Sequence, residues 1–171
     1  MAGQLHRGLV VCLCALAFGC RPAGPTTQEE FVSAYKAAYA TGKEDEVYKL
    51  VAWIDDVLPN LQDPYDGGYP ARLGHRKAIK WGLTANITDG KLSTVEVIDV
   101  PEQYADHQIT PAPLYWLKIV TNDDGDKRKN SGAPLDIQHM EIEIPVIQWK
   151  GAHYFYGSPD YIVESTFGFT K

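Results

Sequence analysis

Residues 26–57 read TTQEEFVSAYKAAYATGKEDEVYKLVAWIDDV, and their apolar positions recur with a helical period. Phe31, Ala34, Tyr35, Ala38 and Tyr39 follow the i, i+3, i+4, i+7, i+8 rhythm of one buried helix face. Thr27 stands three residues before Glu30, the spacing at which a hydroxyl and a carboxylate satisfy the free backbone donors of a first turn. Gly42 sits where a left-handed residue ends a helix without a Cβ clash. The acids at 44–46 suit a second N-terminus, Val47, Leu50, Val51 and Ile54 continue its stripe, and Pro59 stops it. Two consecutive helices are predicted.

Beyond them, DPYDGGYP at 63–70 is dense in turn formers and reads as a loop. A weaker helical pattern starts at Ala71, with His75, Ala78, Ile79, Gly82 and Leu83 on one side and Arg72, Arg76, Lys77 and Lys80 on the other. Asp89-Gly90 marks a turn. Strand signals then take over. LSTVEVIDV at 92–100 is rich in β-branched residues and closes at Pro101. LYWLKIVT at 114–121 is apolar on both sides, as a central strand would be. Residues 122–134 read as a polar loop. Met140, Ile142, Ile144 and Val146 alternate with His139, Glu141 and Glu143, and Lys150-Gly151-Ala152 turns the chain into a hairpin with 153–156. Residues 161–169 would add a last short strand.

The first 20 residues have a different character. Met1 to Arg7 is polar and free of acids, and the eleven residues 8–18 form an apolar run too short to span a bilayer, which suits an export signal. The run ends in Leu16-Ala17-Phe18-Gly19-Cys20, which resembles a bacterial lipobox. That resemblance implies cleavage before Cys20, acylation of its thiol, and a protein held in the cell envelope outside the cytoplasm, facing the periplasm or on the outer membrane. An ordinary signal peptide cut nearby is the competing reading. Cysteine usage favours the lipobox. All three cysteines, Cys12, Cys14 and Cys20, lie in this stretch, so a chain starting at Cys20 has no disulfide partner, and acylation accounts for the thiol. The expected organisation is a signal peptide over 1–19, a lipidated cysteine and tether over 20–26, and one domain over 27–171.

Three helices followed by an antiparallel meander predict an α+β domain with a curved sheet wrapped on the first helix. The opening FVSAYKAAYATGKEDEVYKLVAW and the closing IEIPVIQWKGAHYFYGS together resemble the NTF2-like (SnoaL-type, cystatin-like cone) superfamily, as found in small lipoproteins of unknown function. The superfamily includes isomerases, hydrolases, cyclases and binding modules, so the resemblance implies a shape and leaves the activity open.

Candidate chemistry is sparse. His75 falls on the apolar side of the third helix, where with an acid partner it would serve as a base, though a satisfied histidine at a helix edge is the plainer reading. Asp99 shares strand parity with Val95 and Val97, and reads either as an inward carboxylate or, more plainly, as the exposed end of its strand. Asp106-His107 lies in a loop, His139 shares the side of Glu141 and Glu143, and His153 has no assigned role. NDDGD at 122–126 lacks the ligand spacing of a calcium loop, and the histidines lack zinc spacing, so no metal and no cofactor is expected. Asn86-Ile87-Thr88 is a formal glycosylation sequon. Four Trp and ten Tyr supply amphipathic rings for a pocket or a small core, with Tyr69, Trp81, Tyr115 and Trp116 as the pocket candidates.

Charge narrows the partners. The leader carries Arg7 and no acid, so its removal moves the formal charge from −6 to −7, which argues against nucleic acid and gives no polybasic help at a membrane. The expected function is a lipid-anchored binding or interaction module without derivable catalysis. Its partners would be the membrane, through Cys20, and a small apolar ligand or a protein. The alternatives are a small-molecule isomerase or hydrolase-like enzyme using a His/Asp pair in the cone, and a lipoprotein that forms a homodimer through its open sheet.

Overall fold

A computed structural model describes residues 24–60, 68–88, 90–123 and 139–158 of the chain. Cys20, the loop at 63–67, most of the polar loop after residue 122 and the last expected strand at 161–169 lie outside the described residues.

The chain folds as an α+β domain. Its order is α1 (Gln28–Ala40), α2 (Glu44–Tyr48), β1 (Val51–Trp53), α3 (Ile54–Val57), α4 (Gly68–Thr84), β2 (Gly90–Ile98), a 3-10 turn (Glu102–Tyr104), β3 (Tyr115–Asp123), β4 (His139–Trp149) and β5 (Ala152–Gly157). The five strands make one mixed sheet in the order β1-β5-β4-β3-β2. Strands β2 to β5 form an antiparallel meander, and β1 joins the free edge of β5 in parallel. Lys150 and Gly151, with φ of 50° and 81°, make the two-residue connection from β4 to β5. Both central residues in the left-handed region match a turn whose twist suits a hairpin.

α1 begins as its spacing predicts. The Thr27 hydroxyl accepts from Glu30 N at 3.2 Å, while the Glu30 carboxylate reaches back to Thr26, accepting from its N at 2.8 Å and its hydroxyl at 2.9 Å. Gly42 ends the helix at φ 68° and donates to Tyr39 O. Phe31, Tyr35 and Tyr39, one per turn, are buried, and Phe31 and Tyr35 meet Phe155 of β5 edge to face, with centroids at 4.8 and 5.1 Å. The Tyr35 and Tyr39 hydroxyls donate to Leu83 O at 2.9 Å and Ala85 O at 2.6 Å. These are carbonyls at the end of α4, which a helix cannot satisfy internally. Asn86, in the left-handed region, then turns the chain toward β2. α4 lies close on the sheet, because a Cβ at Gly82 would stand 2.6 Å from Ile142 Cδ1.

The expected second helix is corrected. It stops at Tyr48, and Val51-Ala52-Trp53 is a strand in register with Phe155-Tyr156-Gly157. The stripe of Val47, Val51 and Ile54 fits a helix as well as it fits this path. What decides is tertiary: as a strand, Val51 joins the core under the helices, and Ala52 is buried with a second cluster on the opposite side of the sheet. Burial on both faces rewards an extended segment. α4 starts at Gly68, earlier than the turn-rich sequence suggests.

The main core fills the space between helices and sheet with Phe31, Tyr35, Val47, Ile79, Leu83, Leu117, Ile144 and Phe155 among others. The second cluster, on the far face, groups Ala52, Ile54, Trp116, Ile147 and Tyr156. Along β3 the alternation sends Tyr115, Leu117 and Ile119 to the helices and Trp116 and Lys118 to the far face. Toward the other end of that face, Lys118 pairs with Glu141 at 2.6 Å, so that part carries charge.

Candidate functional site

The segment from Asp99 to Leu114 leaves the end of β2, covers part of the far face and returns as β3. It is held at three points. The Tyr156 hydroxyl donates to Thr110 O at 2.7 Å, Leu114 N donates to Val146 O at 2.8 Å, and the Tyr104 ring stacks on Trp116 at 5.1 Å and 15°. The 3-10 turn that aims Tyr104 is closed by Tyr104 N to Pro101 O and Ala105 N to Glu102 O. Between this segment and the strand ends lies a hollow of about 710 Å³. That volume falls within the 300–1,000 Å³, roughly, of small-molecule sites.

Its surface is apolar where water would be expected to select polar groups. Among the described residues five large apolar side chains stand exposed: Leu73, Trp81, Val97, Val100 and Leu114. The last three, at 44, 51 and 48 % exposure, line this one hollow with Ile98, Ile109 and Trp116. Scattered exposed apolar residues need no explanation, but three gathered at a concave site do. Asp99 and His107 belong to the lining, and both are exposed. His107 also meets the Tyr104 ring edge to face at 5.7 Å.

The predicted site residues separate. Asp99, Tyr115 and Trp116 line the hollow together, with Asp99 one residue past the end of β2 and exposed. His75 and Trp81 lie on α4 and do not line it; Trp81 is exposed at 42 %. Tyr69 belongs to the first turn of α4, and its side chain, like Cys20, lies outside the described residues. The histidine that joins Asp99 in one place is therefore His107.

Sequence reasoning also left His153 without a role, and the structure supplies a partner. Its Nδ1 lies 3.0 Å from the Tyr115 hydroxyl, its backbone N donates to Pro25 O at 2.7 Å, and its side chain is buried beside Phe31. Burial holds the imidazole below its ordinary value, with Glu30 pulling weakly the other way, and burial pushes the Tyr115 phenol up, helped by Glu29. A neutral imidazole facing a neutral phenol is a satisfied buried pair. A separation of 38 positions along the chain hides it from any local pattern.

A second groove, of about 740 Å³, runs between the C-terminal half of α1 and β2, with Lys36 and Lys91 above Tyr39, Ile87, Leu92 and Val95. Four Ser and Thr residues share its lining, and none of the exposed large apolar side chains falls there. Among the described residues no three His, Cys, Asp or Glu side chains gather as metal ligands, and no helix is long and apolar enough to cross a membrane.

Compared with known proteins, the chain matches no protein-family model, no curated protein and no solved structure.

Proposed function

We propose that this chain is a binding module of NTF2-like shape, anchored outside the cytoplasm by acylated Cys20, that takes a small apolar ligand into the hollow beside Trp116. One observation carries the reading: Val97, Val100 and Leu114 expose their side chains at a single concave site whose lining includes the Tyr104–Trp116 stack. Exposed apolar surface of that kind is retained where something covers it. The lipobox-like run before Cys20 supports the location, and helices packed on an antiparallel meander support the shape. The dimer alternative gains little, since Lys118, Glu141 and Glu143 carry charge on the far face of the sheet.

The catalytic alternative needs a base and a carboxylate in one site. His75 and Asp99 do not share the hollow, and the pair that does, Asp99 and His107, stands exposed with no buried general base beside it. Binding without chemistry is the reading retained.

The test is titration with the uncharged fluorophore N-phenyl-1-naphthylamine. Wild type binds it saturably. Leu114→Asp and Val100→Asp weaken binding about tenfold or more, because one buried apolar side chain is worth about 1.5–3 kcal/mol and about 1.4 kcal/mol is a factor of ten. Leu73→Asp on α4 leaves it unchanged. Equal affinity in all four proteins would overturn the proposal, and saturable binding of a protein partner lost in the same two variants would replace the ligand class.

A further inference from the structure

The chain enters the domain at a defined place. Pro25 O accepts from His153 N at 2.7 Å, and a Cβ on Gly24 would lie 3.1 Å from Ala152 Cβ and 3.4 Å from the Tyr154 hydroxyl. The N-terminal end of the described domain is therefore fastened to the first residues of β5, directly after the β4–β5 turn. Cys20 precedes Gly24 by four residues. At about 3.3–3.6 Å per residue the chain can carry it at most about 14 Å away, whatever its path. An acyl group on Cys20 would hold a bilayer within reach of this hairpin.

The hairpin end is built of side chains suited to that neighbour. Trp149 and Tyr154 pack edge to face with centroids at 5.6 Å, both half-buried against the far-face cluster. Lys150, exposed at the turn, holds its ammonium 4.0 Å from the centre of the Trp149 ring. Trp and Tyr concentrate at the membrane–water boundary because an amphipathic ring satisfies both sides of it, and Lys reaches from there to phosphate. Charge alone would not draw the hairpin to a bilayer. Glu29 and Glu30 stand exposed on the nearby first turn of α1, with the Glu30 carboxylate bound to Thr26. The contact must rest on the rings.

From this geometry we infer that the β4–β5 hairpin end, through Trp149, Lys150 and Tyr154, seats in the headgroup zone of the bilayer that holds Cys20. The inference rests on the anchor reading above. It also sets the ligand hollow: Leu114 N bonds Val146 O, three residues of β4 before Trp149, so the hollow's rim lies at the membrane-facing end of the sheet.

The experiment uses the full protein isolated from its membrane fraction and reconstituted in phosphatidylcholine vesicles brominated high on the acyl chain. Intact mass reads the anchor, and quenching of Trp emission reads the hairpin. The expected result is acyl mass on a chain beginning at Cys20, with quenching that is lost in Trp149→Phe and kept in Trp53→Phe and Trp81→Phe. A nitroxide on Gln148→Cys, the sole free thiol of an acylated chain, gives a second reading that does not need the Trp149 variant to fold. Its accessibility to oxygen should rise over that to a soluble nickel chelate. An acylated chain with no quenching and no such rise overturns the inference alone, as does quenching that follows Trp81. An unacylated chain overturns the anchor and the inference together.

Discussion

Gly157 closes β5 opposite Trp53, its register partner in β1. A Cβ there would stand 2.5 Å from Trp53 Cε3, 3.0 Å from Cζ3 and 3.1 Å from Val51 Cγ1. Carbon atoms pack best at about 3.5–4.0 Å, so the ring would have to move by about an ångström. It is not free to do so. The Arg76 guanidinium lies 4.8 Å from the ring centroid and is tied to the Asp55 carboxylate at 2.7 Å. Overpacking of this kind costs about 1–3 kcal/mol, against about 0.5–1 kcal/mol recovered by removing a strand glycine from the unfolded ensemble. Taking the middle of each range, Gly157→Ala should lose about 1–2 kcal/mol net. At about 2–4 °C per kcal/mol for a chain of this size, its melting point falls by about 2–8 °C in far-UV circular dichroism. Gly74→Ala is the matched comparison. It lies in α4 with nothing within 4 Å of its Cβ, and should gain about 0.5–1 kcal/mol from helix propensity alone. If Gly157→Ala melts at or above wild type, Trp53 does not lie across β5, and residues 51–53 are not the strand described above.

Three further outcomes are expected. Tyr35→Phe removes the donor to Leu83 O inside the core and should cost about 1–2 kcal/mol in denaturant unfolding, whereas a change below about 0.3 kcal/mol would mean that bond is not made. His153 has its folded value below the ordinary 6.5, so the unfolded chain takes up its proton first; stability is full above about pH 6.5 and declines as pH falls below it, and His153→Gln should flatten that decline, while an unchanged pH profile would contradict it. Cys20→Ala should abolish acyl mass and release the protein from the membrane fraction, and a wild-type chain that keeps Met1 would sink the anchor.

Much of the fold was legible because its cues are local. Thr27 and Glu30 announce α1, Gly42 ends it, and the alternation through 140–146 announces β4. What stayed hidden was decided at a distance. Val51-Ala52-Trp53 looks helical until β5, about a hundred residues later, offers an edge for it to pair with. The Tyr115–His153 contact joins two strands whose sequences give no sign of each other. The hollow lay between these cases. Tyr115, Trp116 and Asp99 were in view, but Val97, Val100 and Leu114 read as ordinary strand and loop residues, since exposure is a property of the folded surface and not of the residue type. His75 drew attention through helical periodicity, which reports a face and not what that face meets.

Carbene footprinting of the protein with and without saturating N-phenyl-1-naphthylamine locates the bound probe on the surface. Protection should be confined to peptides spanning 97–116, with α4 and the groove at 36–42 and 87–95 labelled equally in both states. Protection on α4 or in that groove, or none at all beside saturable binding, would contradict it.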